Sequence, residues 1–265
     1  TLSEDSQPFG PSAPLKAVKS FNASPDRRIE YTYYDRDLKA SDAIFELYRR
    51  GVLVTRIQRA FSVGMFGFGA SRKLVPTRWS ITAVDSTISH NLINEVKQYP
   101  TVDEFRVFHF RNFDNIYVGM LMPEPWKFEW IEAWFPETTW NPYGYSPAMM
   151  GDHEEYWGRT KYASIGGCYY STRLAVSEYL SRERRQAAAV FFREIHPGYI
   201  LPIGVWNVRE SIRATLKKRP TMHDSIDSAL KEISNRLTIP LKDWIANSVL
   251  LKRMLFQKKI SDYTI

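Results

Sequence analysis

Apolar positions along the chain change their period several times, and each change marks an element. Between residues 39 and 50, Ile44, Leu47 and Tyr48 recur at helical spacing, and Gly51 suits the stop of that helix. A second helix is expected over roughly 52–61 with its arginines facing outward, followed by a loop at Gly64, Gly67 and Gly69. Ile88, Leu92, Ile93 and Val96 predict an amphipathic helix over 86–98, with Ser86 as its N-cap. The period then shortens to two. Phe105, Val107 and Phe108 lead into Asp114–Asn115, and Ile116, Val118 and Met120 follow in alternation, which reads as strand, turn and strand. Trp126, Trp130 and Trp134 stand four apart, so they share one face of an expected helix, either a core face or an exposed stacking platform; Trp140 follows them. A helix is predicted from Gly166 through Leu174, Val176, Tyr179 and Leu180 to Arg185, then a buried strand from Ala187 to Ile195 that ends at Pro197–Gly198. Helices over about 206–218, 223–236 and 241–256 complete the pattern, with boundaries at Pro220 and Pro240.

These elements predict a mixed α/β (α+β) fold: a central sheet including a β-hairpin, a helical C-terminal third and a flexible C-terminal tail. Residues 1–25, rich in Pro, Ser and Gly, read as an extended arm, which suggests a chain cut from something longer or following another domain. Residues 26–256 form the expected globular core, two subdomains splitting near 145–160, and residues 257–265 form the tail.

Composition narrows the class. The chain has 265 residues, 44% of them hydrophobic, enough for one large core or two smaller ones. No run approaches the roughly 18–20 apolar residues that a bilayer crossing needs, and no charged-then-apolar leader opens the chain, so a soluble, cytoplasmic protein with no membrane partner is expected. Cys168 is the single cysteine, which excludes an internal disulfide and a multi-cysteine zinc cluster; no pair among the five histidines has tight helical spacing, so no metal site is assigned. The net charge of +7 and pI near 9.3 favour polyanions, because each phosphate neutralised releases counterions. The cations cluster: Arg49, Arg50, Arg56 and Arg59; Arg72, Lys73 and Arg78; Arg182, Arg184 and Arg185.

Four segments carry candidate chemistry, each with a structural alternative. Gly64-Met-Phe-Gly-Phe-Gly-Ala-Ser-Arg-Lys73 is either a phosphate cradle of bare N–H groups or a mobile loop with a basic tip; it lacks the Gly-Lys-Ser/Thr ending of a Walker loop. Its sequel, Pro76-Thr-Arg-Trp-Ser80 with Asp85, pairs an arginine with a tryptophan, suited to holding a phosphate and stacking a base. Gly151-Asp-His-Glu-Glu155, followed by Arg159, is either a divalent-ion or acid–base loop or a solvated acidic turn. Two glycines open a helix at Ser164-Ile-Gly-Gly-Cys168, placing Cys168 either in an anion-binding first turn that lowers its pKa or in the core as an inert thiol. Arg193-Glu194-Ile-His196, with Tyr199, Trp206, Asn207, Arg209 and Glu210 beyond, stands past the carboxyl end of a buried strand, where α/β proteins place binding sites; a structural ion-pair network reads the same.

The last nine residues differ in kind. Gln257-Lys-Lys-Ile260-Ser-Asp-Tyr263-Thr-Ile265 presents Ile260 and Tyr263 on one side of a helical turn, beside Gln257, unless it is simply a frayed helix end. The pattern Gln-x-x-aliphatic-x-x-aromatic resembles the sliding-clamp-interacting peptide of DNA replication and repair proteins, although Thr264 stands where strong versions carry a second aromatic. Longer strings, Ser71-Arg-Lys-Leu-Val-Pro-Thr-Arg-Trp-Ser-Ile-Thr-Ala-Val-Asp85, Trp130-Ile-Glu-Ala-Trp-Phe135, Ala163-Ser-Ile-Gly-Gly-Cys-Tyr-Tyr170, Arg193-Glu-Ile-His-Pro-Gly-Tyr199 and Gly204-Val-Trp-Asn-Val-Arg-Glu210, resemble the archaeal Nre family from about Gln7 to the terminus. The resemblance implies an archaeal, nucleoid-associated DNA repair protein that binds the PCNA clamp through its C-terminal motif. Family members usually begin with a cysteine-rich, zinc-ribbon-like segment, which this chain lacks, so no zinc role is assigned and the cofactors stay unknown. The expected reading is a clamp-recruited repair factor that contacts DNA. Gln257, Ile260 and Tyr263 bind the clamp, while Arg72, Lys73, Arg78, Trp79, Arg159, Arg193 and Arg209 meet phosphates and bases. The alternative is a nucleotide- or DNA-processing enzyme using Asp85, Glu194 and His196 for acid–base work.

Overall fold

The computed structural model describes residues 26–69, 72–200 and 203–256; the expected arm and clamp motif lie outside them. The chain enters with four helices, α1 (Arg27–Tyr34), α2 (Ala40–Arg49), α3 (Val54–Ser62) and α4 (Thr77–Val96). It continues through β1 (Phe105–Asn112), β2 (Asn115–Met122), β3 (Lys127–Trp134), β4 (Ala148–Glu154), α5 (Gly167–Glu183), β5 (Ala188–Ile195), α6 (Gly204–Lys217), β6 (Thr221–His223), α7 (Ile226–Ser234), α8 (Leu241–Asn247) and α9 (Val249–Phe256). The mixed α/β class is as expected. Two compact units divide the chain, with the boundary inside α4 between Asn91 and Leu92.

In the first unit, α2 buries Ala43, Ile44 and Leu47, α3 buries Val54, Ile57 and Ala60, and Gly51 (φ +75°) ends α2 where the sequence placed its stop. One correction concerns α4. It starts at Thr77, not at an N-cap Ser86, and absorbs the Arg78–Asp85 segment. Its buried face there mixes Ser80, Val84 and Asp85. Ser80 Oγ donates to the Gln58 carbonyl (2.5 Å) and the Gln58 amide to Asp85 Oδ1 (2.8 Å), so polar side chains pack inward and hide the helical period.

The second unit is a six-stranded sheet in the order β4-β3-β5-β2-β1-β6, parallel between β3 and β5 and antiparallel elsewhere. The hairpin predicted around Asp114 joins β1 to β2, turning on Phe113 (φ +47°) and Asp114 (φ +58°), two left-handed residues that match the twist of the strands. Asn115 Nδ2 donates back to the carbonyls of Asn112 (3.2 Å) and Phe113 (2.9 Å), fixing that turn without glycine.

The tryptophan segment is a strand, not a helix. A spacing of four satisfies a period of two as well as one of 3.6, and Phe128 between the first two tryptophans breaks the tie. Trp126, Phe128 and Trp130 line one sheet face under α5 and α6, the core reading of the sequence. Ile131 and Ala133 line the other under α7, α8 and α9. Residues 151–155, read as a loop, belong mostly to edge strand β4, and the helix expected over 241–256 is broken at Ser248 into α8 and α9.

That break has a cause. Glu129, buried on β3, accepts from the Ser248 hydroxyl and from the backbone N–H groups of Val249 (2.7 Å) and Leu250 (3.1 Å), so a sheet carboxylate caps α9. Burial raises the Glu129 pKa, and these donors oppose the shift. Glu194 on β5 holds the approach to α8 next door, accepting from the N–H groups of Thr238 (2.9 Å) and Ile239 (2.8 Å).

Gly119 on β2 pairs with Phe191 of β5, and a Cβ there would stand 2.1 Å from Cε1 of that ring. Gly119→Ala is therefore expected to cost about 1–3 kcal/mol by overpacking. Urea denaturation checks this, and an unchanged midpoint would contradict it.

Candidate functional site

Parallel strands β3 and β5 place Glu132 beside Arg193, and β2 sets Tyr117 on Arg193's other side, in one row across the sheet. Arg193 Nη1 donates to Glu132 Oε1 (3.1 Å) and Nε to Asn115 Oδ1 (2.8 Å). The rings of Tyr117 and Tyr199 flank its guanidinium at 5.6 and 5.2 Å. Trp130 Nε1 gives Glu132 a second donor (3.2 Å), and the Asn207 amide of α6 reaches the hydroxyls of Tyr117 (3.4 Å) and Tyr199 (3.5 Å). The structure brings Arg193, Tyr199 and Asn207 of the fourth sequence segment together. It does so around Glu132, Asn115 and Tyr117, which sequence reasoning did not single out. Glu132 lies inside a run read as helix, so its strand partner was invisible.

Cys168 in the first turn of α5 faces the same carboxylate. Burial pushes its thiol pKa well up, and the Glu132 charge pushes it further, overriding the helix N-terminus. Cys168 is half-buried against the core of this face, and its raised pKa favours the inert thiol of the two readings. Burial pulls the Arg193 pKa down, but Tyr117 and Glu132 beside it outweigh burial and raise it.

Glu194 and His196 leave this row: Glu194 points to the opposite sheet face, among the N–H donors ahead of α8. His196 Nε2 sits 3.3 Å from Glu194 Oε2, and its ring stacks on Phe135 at 4.2 Å. Arg209 lies buried on α6, its Nε 3.5 Å from Glu210 Oε1.

At the sheet edge, Asp152 on β4 accepts from Arg159 Nη2 (2.7 Å) and from the Ser164 N–H (2.7 Å). Arg159 also donates to the carbonyl of His153 (3.1 Å), and Ser164 Oγ to that of Gly151 (3.1 Å). The segment after β4 therefore covers backbone groups that an edge strand would otherwise expose. One row further, Glu154 takes Arg173 Nη1 (2.7 Å) and Trp126 Nε1 (3.1 Å). No group of three His, Cys, Asp or Glu suited to a metal ion occurs among the described residues.

The first unit has a different character. Its loop at Gly64–Gly69 is clipped at its base by Ser62 and Val75, which exchange two hydrogen bonds. Arg72 is drawn inward, donating to the carbonyls of Gly67 (2.8 Å) and Asp35 (3.0 Å) with its guanidinium 4.8 Å from the Tyr33 ring. Lys73 is exposed, and so are Arg78 and Trp79 on α4, the arginine 5.2 Å from the indole. Asp85, by contrast, is fully buried against Gln58. Helix α1, absent from the sequence prediction, exposes Tyr33 and Tyr34 beside Arg56 and Arg59 of α3, and Tyr31 under Arg50. The run Arg27-Arg-Ile-Glu-Tyr-Thr-Tyr-Tyr34 has too few apolar residues to show a core face, yet its paired arginines and tyrosines were a readable surface signal.

The pH dependence of the edge follows from Asp152. Burial would raise its pKa, but Arg159 and the N–H groups of Ser164 and His153 outweigh that and hold it at about 2. Its stabilisation is present above the ordinary carboxylate range and is lost as pH falls from about 4 toward 2. Asp152→Asn should cost about 1–3 kcal/mol at neutral pH and flatten the acid limb of the stability curve; an unaltered acid limb would contradict the pairing. Cys168, for its part, should be alkylated slowly in the native protein with little gain between pH 7 and 9. Rapid native labelling would refute the raised thiol pKa.

Comparison with known proteins supplies the remaining observations. The family model described as archaeal Nre, N-terminal, matches residues 1–141, and that described as archaeal Nre, C-terminal, matches residues 154–263. A DNA repair protein NreB of Archaeoglobus fulgidus is 48% identical over 93% of this chain and 62% of its own length. A DNA repair protein NreA of the same organism is 38% identical over 91% of this chain and 60% of its own. The Haloferax volcanii DNA repair protein NreA is 35% identical over 89% of this chain and 57% of its own. The chain thus spans about three fifths of the length of these relatives. No solved structure matches it.

Proposed function

The chain belongs to the archaeal Nre family, and from that premise we propose a DNA repair factor that contacts DNA with its first unit and is recruited to the PCNA clamp through Gln257, Ile260 and Tyr263. The observation that carries the DNA half is the exposed surface of the first unit, where arginines and aromatic rings stand together outside the core. Relatives named DNA repair proteins support the same assignment. The clamp half rests on the spacing of the C-terminal motif, which follows directly on α9.

Within this reading Lys73, Arg78 and Trp79 meet DNA. Arg72 orders the loop that carries Lys73. Arg159 and Arg193 are committed to Asp152 and Glu132, and Arg209 is buried on α6. The acid–base alternative draws little from its three residues. Asp85 takes the Gln58 amide, and Glu194 takes two backbone N–H groups and the Thr238 hydroxyl, with His196 Nε2 3.3 Å away. A carboxylate spent on stationary donors is a poor proton acceptor for a substrate.

Two measurements test the proposal. DNA affinity should fall steeply with added salt, and Lys73→Ala with Arg78→Ala should lower the log–log salt slope by about two; a flat salt response would refute a phosphate-tracking surface. Ile260→Ala with Tyr263→Ala should abolish binding to purified PCNA and leave the melting temperature unchanged. Retained clamp binding in that double variant would end the motif assignment.

A further inference from the structure

A groove between α1 and α3 is lined by Ile29, Tyr33, Tyr34, Arg56, Arg59 and Met65, among others, and holds about 590 Å³. That is within the range of about 300–1,000 Å³ of small-ligand sites, room for a nucleoside-sized group. Building on the DNA-contacting reading above, we propose that this groove binds single-stranded DNA, with unpaired bases stacked on the tyrosines of α1 and the backbone held by the arginines of α3.

Charge selects the polyanion. Between residues 26 and 91 the chain carries eleven Lys or Arg against seven Asp or Glu, over half of the whole chain's net charge of +7. Several of the acids are already spent: Asp85 is buried, Glu46 pairs with Arg50, and Asp26 is held at about pKa 2 by Arg28, with Arg56 adding to the shift. Arg59, one turn beyond Arg56, pairs with no carboxylate among the described residues. Glu30 is the acid that remains at the groove.

The rings select the form of the DNA. Tyr31, Tyr33 and Tyr34 are 68%, 42% and 71% exposed on a helix of eight residues, and Arg50 and Arg72 stand over Tyr31 and Tyr33 at 5.9 and 4.8 Å. Exposed rings gain by stacking on base faces, and a duplex keeps those faces covered by its own neighbours. A basic groove with stacking rings is the arrangement by which proteins hold single strands without reading sequence.

The experiment is fluorescence anisotropy of the full chain with labelled oligothymidine and, separately, with a duplex of equal length. The single strand should bind more tightly. Tyr33→Ala with Tyr34→Ala should weaken it about tenfold or more at an unchanged melting temperature. Glu30→Gln should tighten binding at low salt, and Arg59→Ala should lower the salt slope by about one. Because Tyr33 touches Arg72, photocrosslinking of the wild-type chain to 5-iododeoxyuridine oligonucleotides gives a readout that needs no variant: adducts should map to 27–34. DNA binding that persists in the tyrosine variants, prefers duplex, or crosslinks only elsewhere would overturn the groove and leave the broader DNA reading intact. A wild-type chain that binds neither oligonucleotide would overturn both.

Discussion

A guanidinium in the middle of a six-stranded sheet has no water to turn to, so its neighbours must act as its solvent. Arg193 meets that demand with Glu132 on one flanking strand, Asn115 and Tyr117 on the other, and Tyr199 and Asn207 arriving from the connection and helix that follow β5. Desolvating an ion costs several kcal/mol, and a partner recovers that only when its geometry is good and its remaining polar atoms are also satisfied. Glu132 is satisfied a second time by Trp130. The arrangement requires β3, β5 and β2 to be adjacent in one register, because a slip of one residue would turn Arg193 to the opposite face and leave Glu132 alone.

The same logic repeats outward from that row. Glu154 holds Arg173, Asp152 holds Arg159, and on the far face Glu129 and Glu194 hold the chain around α8 and α9. Each strand carboxylate fixes something that packing alone would leave free to slide: a helix end, an edge covering or a neighbouring strand. Charges used in this way are poorly placed to meet a ligand. What remains for recognition is the exposed set, and in the first unit that set includes arginines and aromatic rings beside a groove. The proposed division of labour follows from this accounting: internal charges specify the fold, and the surface of the first unit meets the nucleic acid.

Much of this was legible in the sequence, and the failures have physical causes. The hairpin and α2 announced themselves by an apolar period with a clear terminator, and β5 by an unbroken buried run ending at Pro197–Gly198. Trp126, Trp130 and Trp134 misled because a spacing of four is common to helix and strand. Thr77–Asp85 misled because its buried face is filled with hydroxyls and a carboxylate, whose hydrogen bonds to Gln58 are long-range and leave no trace in local pattern. The polar string around Arg193 was named from the sequence, as either a binding site or a structural ion-pair network. Its partners were not, since Glu132 and Asn115 lie 61 and 78 residues away and only strand pairing brings them together. Helix α1 escaped because a short helix with few buried side chains has almost no apolar stripe, and the tyrosines that made it unreadable as core are the ones offered to solvent.

The central claim, that the buried charges serve the fold and the exposed ones serve recognition, is tested most directly by Glu132→Gln with stability and DNA affinity measured on the same preparation. Leaving Arg193 buried without its counter-charge should cost about 3–5 kcal/mol of unfolding free energy. The protein that remains folded should bind DNA with unchanged affinity. Undiminished stability together with lost DNA binding would contradict the account and place Glu132 and Arg193 in a functional site instead.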